Sequence, residues 1–422
     1  MQDNEKKPAL RFKGFTDPWE QRKLDEAFDF TVPNNTLSRA ELNQESGSVR
    51  NVHYGDVLIK YGSVLDAQND ELPFITGRSK DGFKGALLQN GDIIIADTAE
   101  DETTGKVCEI VNIQDKDVVA GLHTMVCRPK NKTAEGYFGY YMNSSSYHHQ
   151  LLPLMQGIKV LSLSKTNVQK TTVKYPKDKA EQQKIADCLR RIDTLITLHQ
   201  RKYEKLVNIK KSMLDKMFPK NGASVPEIRF KGFTDLWEQR KISELAEKTY
   251  GGGTPTTSNE AFWNGNIPWI QSSDIVDGKL MGVEPRKYIT QTGLNSSATQ
   301  LVPKNSIAII TRVGVGKLAY MPFSYSTSQD FLSLSKLNTE PFFTVYACYK
   351  KLQSELNTVQ GTSIKGITKD ELLAKTISVP VYSEQKQIGS FFAQLDTLIT
   401  LHQRKLEKLQ NIKKSCLEKM FV

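Results

Sequence analysis

The sequence predicts an α+β protein in which one plan occurs twice: an α/β domain of short strands and helices is followed by a long helix of a coiled coil. Residues 193–202 recur letter for letter at residues 396–405, and the similarity extends on both sides. Residues 8–24 match residues 226–242 in the same way. The segments between these repeated elements share little sequence, so we expect one fold that carries two different surfaces.

The long helices are predicted from the spacing of their apolar residues, which alternates between three and four positions. A repeat of about 3.5 residues is typical of a coiled-coil seam, and the expected partner of each helix is its own copy. His199 and His402 interrupt the seam at matching places, as do Lys210 and Lys413. A polar group there would fix the register; a metal or proton-relay role is the alternative for the histidines. The apolar seam residues are Ile185, Leu189, Ile192, Ile196, Leu206, Met213, Ile388, Phe392, Leu395, Ile399, Leu406 and Leu409.

The repeated elements also predict the domain boundaries. The first block and its α/β domain occupy residues 1–178, the central long helix 179–218, a linker 219–228, the second block and its domain 229–382, and the C-terminal long helix 383–422. Runs of strand-forming residues between turn residues predict strands at residues 56–60, 92–96, 106–111, 171–175, 306–311, 317–320 and 376–379. A further helix is expected at residues 135–149. Trp19 and Trp237 are expected to anchor the repeated blocks, with stacking on bases as the alternative.

Composition narrows the class of protein. No apolar run approaches the length of a membrane span. The five cysteines are scattered without a Cys-x-x-Cys pair, which favours a reducing, cytoplasmic compartment over disulfides or a zinc site. The net charge is +10, and much of the excess lies on the long helices. This charge is either a solvated helical face or a surface that faces a polyanion.

The sequence does not match the motifs of catalysis and nucleotide binding that were compared with it. Gly314–Lys317 resembles the end of a phosphate-binding loop, but Thr311 stands where the first glycine should be and Leu318 where Ser or Thr should be. The Asn/Asp-Pro-Pro-Tyr/Phe motif of adenine methyltransferases and the His-Glu-x-x-His motif are both absent. His148 and His149 have no further ligand at metal-binding spacing. We therefore expect no catalytic residue, no metal site and no cofactor on this chain.

With its two dissimilar domains, each followed by a near-identical long helix, the chain resembles the specificity subunit of a type I restriction-modification system. The resemblance covers essentially the whole chain. In the second domain it includes stretches similar to the family's at residues 252–255, 263–270, 312–320, 328–331 and 366–372. In the first domain, only residues 91–94 and 156–176 are similar to these, so the surface of that domain is harder to interpret.

The resemblance implies both a fold and a function. The two α/β domains would be target-recognition domains, joined by two long helices that form an antiparallel coiled coil, with a pseudo-twofold internal repeat. Each domain would bind one half of a bipartite site on double-stranded DNA. The implied partners are two modification subunits, which carry S-adenosylmethionine and methylate adenine, and, where present, two restriction subunits that use ATP and magnesium. The chain itself would be the non-catalytic specificity subunit.

Contacts to DNA are expected in loops rich in Arg, Lys, Asn, Gln, Ser and Thr, whose side chains bind phosphates and base edges. For each candidate, an ordinary surface position is the alternative. The candidates in the first domain are Arg78, Lys80, Lys84, Lys159 and Lys165. Those in the second domain are Thr254, Thr256, Ser272, Arg312, Gln329 and Lys365.

Two other functions stay open at the level of sequence. A self-contained DNA methyltransferase or nuclease would need a cofactor motif that the sequence lacks. A stand-alone transcriptional regulator with two DNA-binding lobes would bind specific DNA without partners. The duplicated helices favour the specificity subunit, because their repeated outer faces offer equivalent sites to two identical partners.

Overall fold

The computed structural model describes residues 7–220, 223–358 and 366–422. It consists of two compact units. The first contains the chain up to Leu198 together with Leu406–Val422, and the second contains His199–Lys405. Each unit therefore combines one α/β domain with part of both long helices.

The first unit is built from short strands and helices around two larger sheets, with two further two-stranded sheets. Its elements, through the central long helix, are β1 (Glu20–Lys23), α1 (Leu24–Ala27), β2 (Phe28–Asp29), β3 (Leu42–Asn43), β4 (Val49–Val52), α2 (Tyr54–Ile59), β5 (Val64–Asp66), β6 (Phe74–Ile75), β7 (Ile93–Ala96), β8 (Thr98–Ala99), β9 (Val107–Val111), β10 (Asp117–Ala120), β11 (Thr124–Pro129), α3 (Tyr137–Met142), α4 (Ser145–His148), β12 (Leu161–Ser162), α5 (Lys165–Gln169), β13 (Thr172–Tyr175) and α6 (Lys179–Lys216).

The five-stranded sheet β2-β11-β7-β9-β5 separates two cores of the first unit. Only β5 and β9 run parallel in it. Successive side chains of a strand point to opposite faces, and β7 follows this rule. Ile93 and Ile95 pack with the aromatic residues of α3, whereas Ile94 and Ala96 pack with Val57 of α2. The continuous apolar run of β7 is thus buried on both faces. The second sheet has the order β10-β4-β6-β3.

The second unit is likewise built from short strands and helices, but its sheets differ in strand number and order. Its elements are β14 (Glu238–Lys241), β15 (Ala246–Gly251), β16 (Trp263–Ile270), β17 (Lys287–Ile289), α7 (Gln291–Asn295), β18 (Ser306–Ile310), β19 (Leu318–Met321), β20 (Ser326–Thr327), β21 (Phe331–Leu337), α8 (Pro341–Thr358), α9 (Lys369–Ala374), β22 (Thr376–Val379) and α10 (Tyr382–Lys419). The four-stranded antiparallel sheet has the order β15-β21-β18-β19, and a three-stranded sheet has the order β17-β16-β20. Ile307 and Ile309 of β18 pack with Phe343 of α8, whereas Ala308 packs with Tyr325.

Two predicted elements of the first domain are wrong. The strand predicted at residues 56–60 is instead the second part of helix α2, which ends at Ile59. The His53 side chain caps this helix by accepting the backbone N–H of Gly55 at 3.1 Å, and Val57 is its only fully buried apolar side chain. The helix predicted at residues 135–149 is broken into α3 and α4, because Asn143 bonds through its side chain to both backbone groups of Val107.

The long helices α6 and α10 run antiparallel in both units. In the first unit the beginning of α6 lies beside the end of α10, and Leu189 shares a core with Met420. In the second unit the end of α6 lies beside the beginning of α10, and Leu214 shares a core with Phe392. Among the helices that the structure describes, none has a segment long and apolar enough to span a bilayer.

The predicted seam residues are enclosed to different degrees. Those in the interior are Ile185, Leu189, Ile192, Ile388, Phe392, Leu395 and Leu406. Those that are half-buried are Ile196, Leu206, Met213, Ile399 and Leu409. In each unit, the buried seam residues near the start of a long helix belong to the core that this helix shares with the α/β domain, and Leu406 is buried farther along α10.

The polar seam residues have partners in their own unit. Lys413 Nζ lies 2.6 Å from Asp193 Oδ1 in the first unit, and Lys210 Nζ lies 2.5 Å from Asp396 Oδ1 in the second. Both aspartates belong to the letter-identical stretch. The two ion pairs are therefore equivalent: each lysine contacts the aspartate at the matching position of the other long helix.

The two seam histidines contact each other within the second unit. His199 Nδ1 and His402 Nδ1 lie 2.8 Å apart, a distance at which one ring donates and the other accepts. Burial, followed by the charges of His199, Lys202 and Lys405, lowers the pKa of His402. The surroundings thus favour a neutral ring. In the described ranges, no group of three or more His, Cys, Asp or Glu is placed to hold a metal ion.

Each repeated block is fastened to the start of a long helix by a bidentate ion pair. Arg11 donates two hydrogen bonds to the Glu181 carboxylate at 2.7 and 2.8 Å. Arg229 donates two to Glu384 at the same distances. Both block tryptophans are buried, so their rings anchor the block and are not available for stacking on bases.

Candidate nucleic-acid interface

The loop between β20 and β21, residues 328–330, is the centre of a polar surface on the second unit. Thr254 donates its hydroxyl proton to Gln329 Oε1 at 2.7 Å, although 75 residues separate the two. Gly252 permits this approach, because a Cβ at that position would collide with the carbonyl oxygen of Ser328. Both Thr254 and Gln329 are exposed. The structure therefore joins two predicted residues into one hydrogen-bonded pair.

Ser272 and Arg312 border the same loop. The backbone N–H of Ser328 donates to the carbonyl oxygen of Ile270, close to Ser272, at 2.9 Å. The residue before Arg312 donates its backbone N–H to the carbonyl oxygen of Asp330 at 2.7 Å. Arg312 is exposed and Ser272 is half-buried. Four of the six residues predicted for the second domain thus lie around one loop, and backbone hydrogen bonds hold their segments together.

Thr256 lies beside a pair of tryptophans. Trp263 Nε1 donates to the carbonyl oxygen of Thr256 at 3.2 Å, and its ring meets that of Trp269 edge to face, with centroids 5.1 Å apart. Lys287 Nζ lies 5.7 Å from the Trp263 ring centroid and 5.8 Å from that of Trp269. A half-exposed indole under a lysine is suited to a nucleic acid backbone and bases.

Sequence reasoning did not single out Trp263 or Lys287 as candidates. A tryptophan at each end of a short strand was visible in the sequence, but the position of the lysine follows only from the pairing of β16 with β17, where Trp269 lies opposite Lys287. Lys365, the remaining candidate of this domain, lies outside the described residues.

Three candidates of the first unit share the loop after β6. Arg78, Lys80 and Lys84 are each more than half exposed. Each has a carboxylate nearby: Arg78 pairs with Glu41 at 3.4 Å, Lys80 with Asp117 at 2.8 Å and Lys84 with Asp81 at 3.7 Å. Exposed pairs of this kind are worth about 0–1 kcal/mol. The three cations can therefore exchange these carboxylates for phosphates at little cost.

The other two candidates of the first unit lie elsewhere and differ from each other. Lys159 is exposed in the loop that connects Gln156 to Ser162. Lys165 begins helix α5, and its ammonium group donates to the carbonyl oxygen of Phe30. Lys165 thus serves the fold of the domain, whereas Lys159 projects from it.

A buried carboxyl group of the first unit is structural. Glu109 accepts the backbone N–H groups of Gly136 and Gly139 at 2.6 and 3.0 Å, which ties β9 to the start of α3. Burial raises its pKa to about 7. The group is 1% exposed and has no access to substrate, so its perturbed pKa does not indicate catalysis.

The outer faces of the long helices carry the same exposed residues in both copies. Leu195 and Leu198 of α6 are 43% and 45% exposed, and the equivalent Leu398 and Leu401 of α10 are 42% and 44% exposed. Further along α6, an open groove of about 510 Å³ is lined by one face of the helix, including Arg201. These faces are candidates for contact with another protein.

Comparison with known proteins identifies one protein family that the chain matches. The sequence matches the family model described as "Type I restriction modification DNA specificity domain" over residues 16–208 and 234–411. A protein of Methanocaldococcus jannaschii described as a putative type I restriction enzyme MjaX specificity subunit is 22% identical over 409 residues, which are 94% of this chain and 91% of that protein. Another from the same organism, described as the type I restriction enzyme MjaIX specificity subunit, is 26% identical over 193 residues, 44% of each chain.

The fold is also similar to a solved structure. A crystal structure described as the type-I restriction-modification system S subunit from M. genitalium matches with a TM-score of 0.64 and covers 99% of both chains, at 14% sequence identity. At this identity the likeness concerns the fold. It confirms the predicted class, two α/β domains with two long helices.

Proposed function

Because the chain belongs to the family of type I restriction-modification DNA specificity subunits, we propose that it reads DNA for a methyltransferase complex and carries out no chemistry itself. Each recognition domain binds one half of a bipartite site on double-stranded DNA. Two modification subunits dock on the chain and methylate adenine at N6 with their own S-adenosylmethionine. Restriction subunits that use ATP and magnesium join where the cell has them. The proposal implies a cytoplasmic location.

The observation that carries this proposal is the contrast between the two kinds of repeat. The recognition segments differ in sequence, and they present different polar surfaces. The long helices instead repeat one stretch letter for letter at residues 193–202 and 396–405. A split DNA site requires two different recognition domains, and two identical partners require two equivalent binding surfaces, which the repeated helices provide.

In the second unit, the loop at residues 328–330 is proposed to face the edges of the bases. The Thr254 hydroxyl donates to Gln329 Oε1, and the amide nitrogen of Gln329 is proposed to donate to a hydrogen-bond acceptor on a base. Arg312 can bind guanine with two hydrogen bonds. Trp263 and Lys287 are proposed to contact the backbone or an unstacked base beside this site.

In the first unit, Arg78, Lys80 and Lys84 are proposed to bind phosphates. Their carboxylate partners hold the side chains in place in the absence of DNA but bind them weakly. Phosphate contacts position a protein on the duplex and carry no sequence information. The base-reading residues of this domain are therefore proposed to lie beside this loop rather than in it.

The partner surface is proposed to be the outer face of each long helix. Leu195 and Leu198, with their copies Leu398 and Leu401, expose a large part of their side chains. Adjacent exposed leucines that recur in both helices provide the apolar centre that a protein interface needs. Equivalent faces on the two helices would accept two copies of one subunit.

The experiment that tests this function is a map of N6-methyladenine. The chain is co-expressed with the modification subunit of the same system, and the genome is sequenced for modified adenines, with cells lacking the chain as the control. The expected result is a split motif, two short half-sites around a fixed gap with one modified adenine on each strand. A soluble complex with the modification subunit that yields no motif would contradict the proposal and favour a stand-alone regulator.

A further inference from the structure

A hairpin at residues 156–162 of the first unit holds an isoleucine fully in solvent. Gln156 and Ser162 exchange two backbone hydrogen bonds, at 3.0 and 2.8 Å. The returning strand, β12, pairs with β8, so the stem of the hairpin is continuous with the domain. The side chain of Ile158 at the tip is 100% exposed.

The tip of the hairpin is tightly built. Gly157 has φ +122°, and a Cβ there would collide with the carbonyl oxygen of Val160. Only glycine fits such a position without strain. The tip therefore presents Ile158 on a defined turn, with Lys159 exposed next to it and Val160 50% exposed.

The residues of this tip indicate which kind of surface it contacts. Transfer of an isoleucine side chain out of water is favourable, so the tip gains from any surface that covers it. Lys159 directs it toward a negatively charged surface. Proteins that enter the minor groove of DNA insert apolar side chains such as isoleucine next to basic residues that bind the backbone.

The same pair of residues recurs in the other recognition segment. Residues 156–159 read Gln-Gly-Ile-Lys, and residues 360–365 read Gln-Gly-Thr-Ser-Ile-Lys. The pair belongs to the stretch at residues 156–176 that resembles the second segment, whereas most of the rest of the two segments, which are expected to read different half-sites, differs in sequence. An Ile-Lys pair common to both therefore favours a contact that does not depend on base sequence.

We propose that Ile158 is an apolar wedge that enters a groove of the bound DNA, while Lys159 binds an adjacent phosphate, and that neither reads the sequence. This inference rests on the proposed function and adds to it a residue that serves affinity rather than specificity. It distinguishes the tip from Gln329 and Arg312, which are proposed to read bases.

The test uses the complex of the full chain with its modification subunit and a duplex that carries the methylated motif. Ile158→Ser is expected to weaken binding roughly ten- to hundredfold, the range for an isoleucine that loses a buried contact. The methylated motif should stay unchanged. Lys159→Ala should weaken binding and lower the slope of log affinity against log salt by about 1. Ile59→Ser is the matched control, because Ile59 is 87% exposed in the same unit and should show no effect.

The outcomes separate the inference from the function on which it rests. If the unaltered complex methylates no split motif, the proposed function fails first. If it does, and Ile158→Ser binds DNA as the Ile59→Ser control does, the wedge is refuted. A changed motif would make Ile158 a base-reading residue, and loss of the modification subunit would make it a protein contact; either result overturns the inference.

Discussion

Asp396 is expected to stabilise the second unit more than its copy Asp193 stabilises the first, although both belong to an identical stretch. In the second unit, Asp396 Oδ1 lies 2.5 Å from Lys210 Nζ, and Asp396 Oδ2 accepts a hydrogen bond from the Tyr346 hydroxyl at 2.6 Å. The side chains of Lys210 and Asp396 are 11% and 13% exposed. Asp396→Ala therefore leaves a nearly buried ammonium group without its counter-charge.

The magnitude follows from burial. Breaking a buried ion pair by removing one partner costs about 3–5 kcal/mol. Lys210 also donates to the carbonyl oxygen of Gly278 at 3.1 Å. This hydrogen bond remains in Asp396→Ala, so the expected loss of stability is about 3 kcal/mol, the lower end of the range. In the first unit, the side chains of Lys413 and Asp193 are 24% and 29% exposed. Water reaches the lysine there, so Asp193→Ala should cost about 1–2 kcal/mol.

The measurement is urea denaturation of the full chain, followed by tryptophan fluorescence and circular dichroism, for both alanine variants. A third variant, Lys210→Met with Asp396→Leu, replaces the pair with apolar groups and should recover most of the lost stability. Equal costs for Asp396→Ala and Asp193→Ala would refute the role of burial. A double variant as unstable as Asp396→Ala would show that the cost does not arise from the unpaired lysine.

Three further predictions concern recognition, docking and pH. Gln329→Ala should weaken DNA binding by about 1–3 kcal/mol and relax the methylated motif at one position, whereas Thr254→Val should have a smaller effect of the same kind, as read from motif maps. Replacing Leu195 and Leu398 with serine should abolish co-purification of the modification subunit while thermal stability changes by less than about 1 kcal/mol, because both residues are on the exposed surface of their helices; retained co-purification would contradict the docking surface. The folded pKa of Glu109 is raised to about 7 from 4.5, so its contribution to stability is complete below the unfolded pKa and is lost as pH rises toward 7. Between these pH values the unaltered chain should lose about 3 kcal/mol more than Glu109→Gln, and parallel pH profiles in urea denaturation would refute this assignment.

The fold was predictable where a pattern extends over many residues. The spacing of apolar residues in α6 and α10, alternately three and four positions, predicts both helices correctly. A repeat of about 3.5 residues that continues over so many turns cannot be mistaken for the two-residue repeat of a strand. The run at residues 56–60 is too short to carry such a signal, and the structure makes it a helix whose cap is a histidine side chain. The break of the helix expected at residues 135–149 depends on Asn143, which bonds to Val107 in another element. A contact of that kind has no local trace in the sequence.

The candidate surface was predictable in composition and not in arrangement. Thr254 and Gln329 were both candidates, but their hydrogen bond depends on how Gly252 lets two distant loops approach. Lys165 has the composition of a phosphate ligand, yet its ammonium group is used by the carbonyl oxygen of Phe30. Residue type alone cannot separate these cases, because the side chains in both are polar and could bind DNA.

The two long helices differ at some buried seam positions and agree on the exposed face of the identical stretch at residues 193–202 and 396–405. At the seam, Leu189 corresponds to Phe392 and Ile192 to Leu395, all four buried. The outer residues Leu195 and Leu198 recur unchanged in α10 with nearly the same exposure. Buried positions are normally the more restricted ones, because a core tolerates changes of volume poorly. The identical stretch also keeps its seam residues, among them Ile196 and Ile399. Retention of the exposed leucines along with them is what we expect if one kind of partner binds both copies, as proposed.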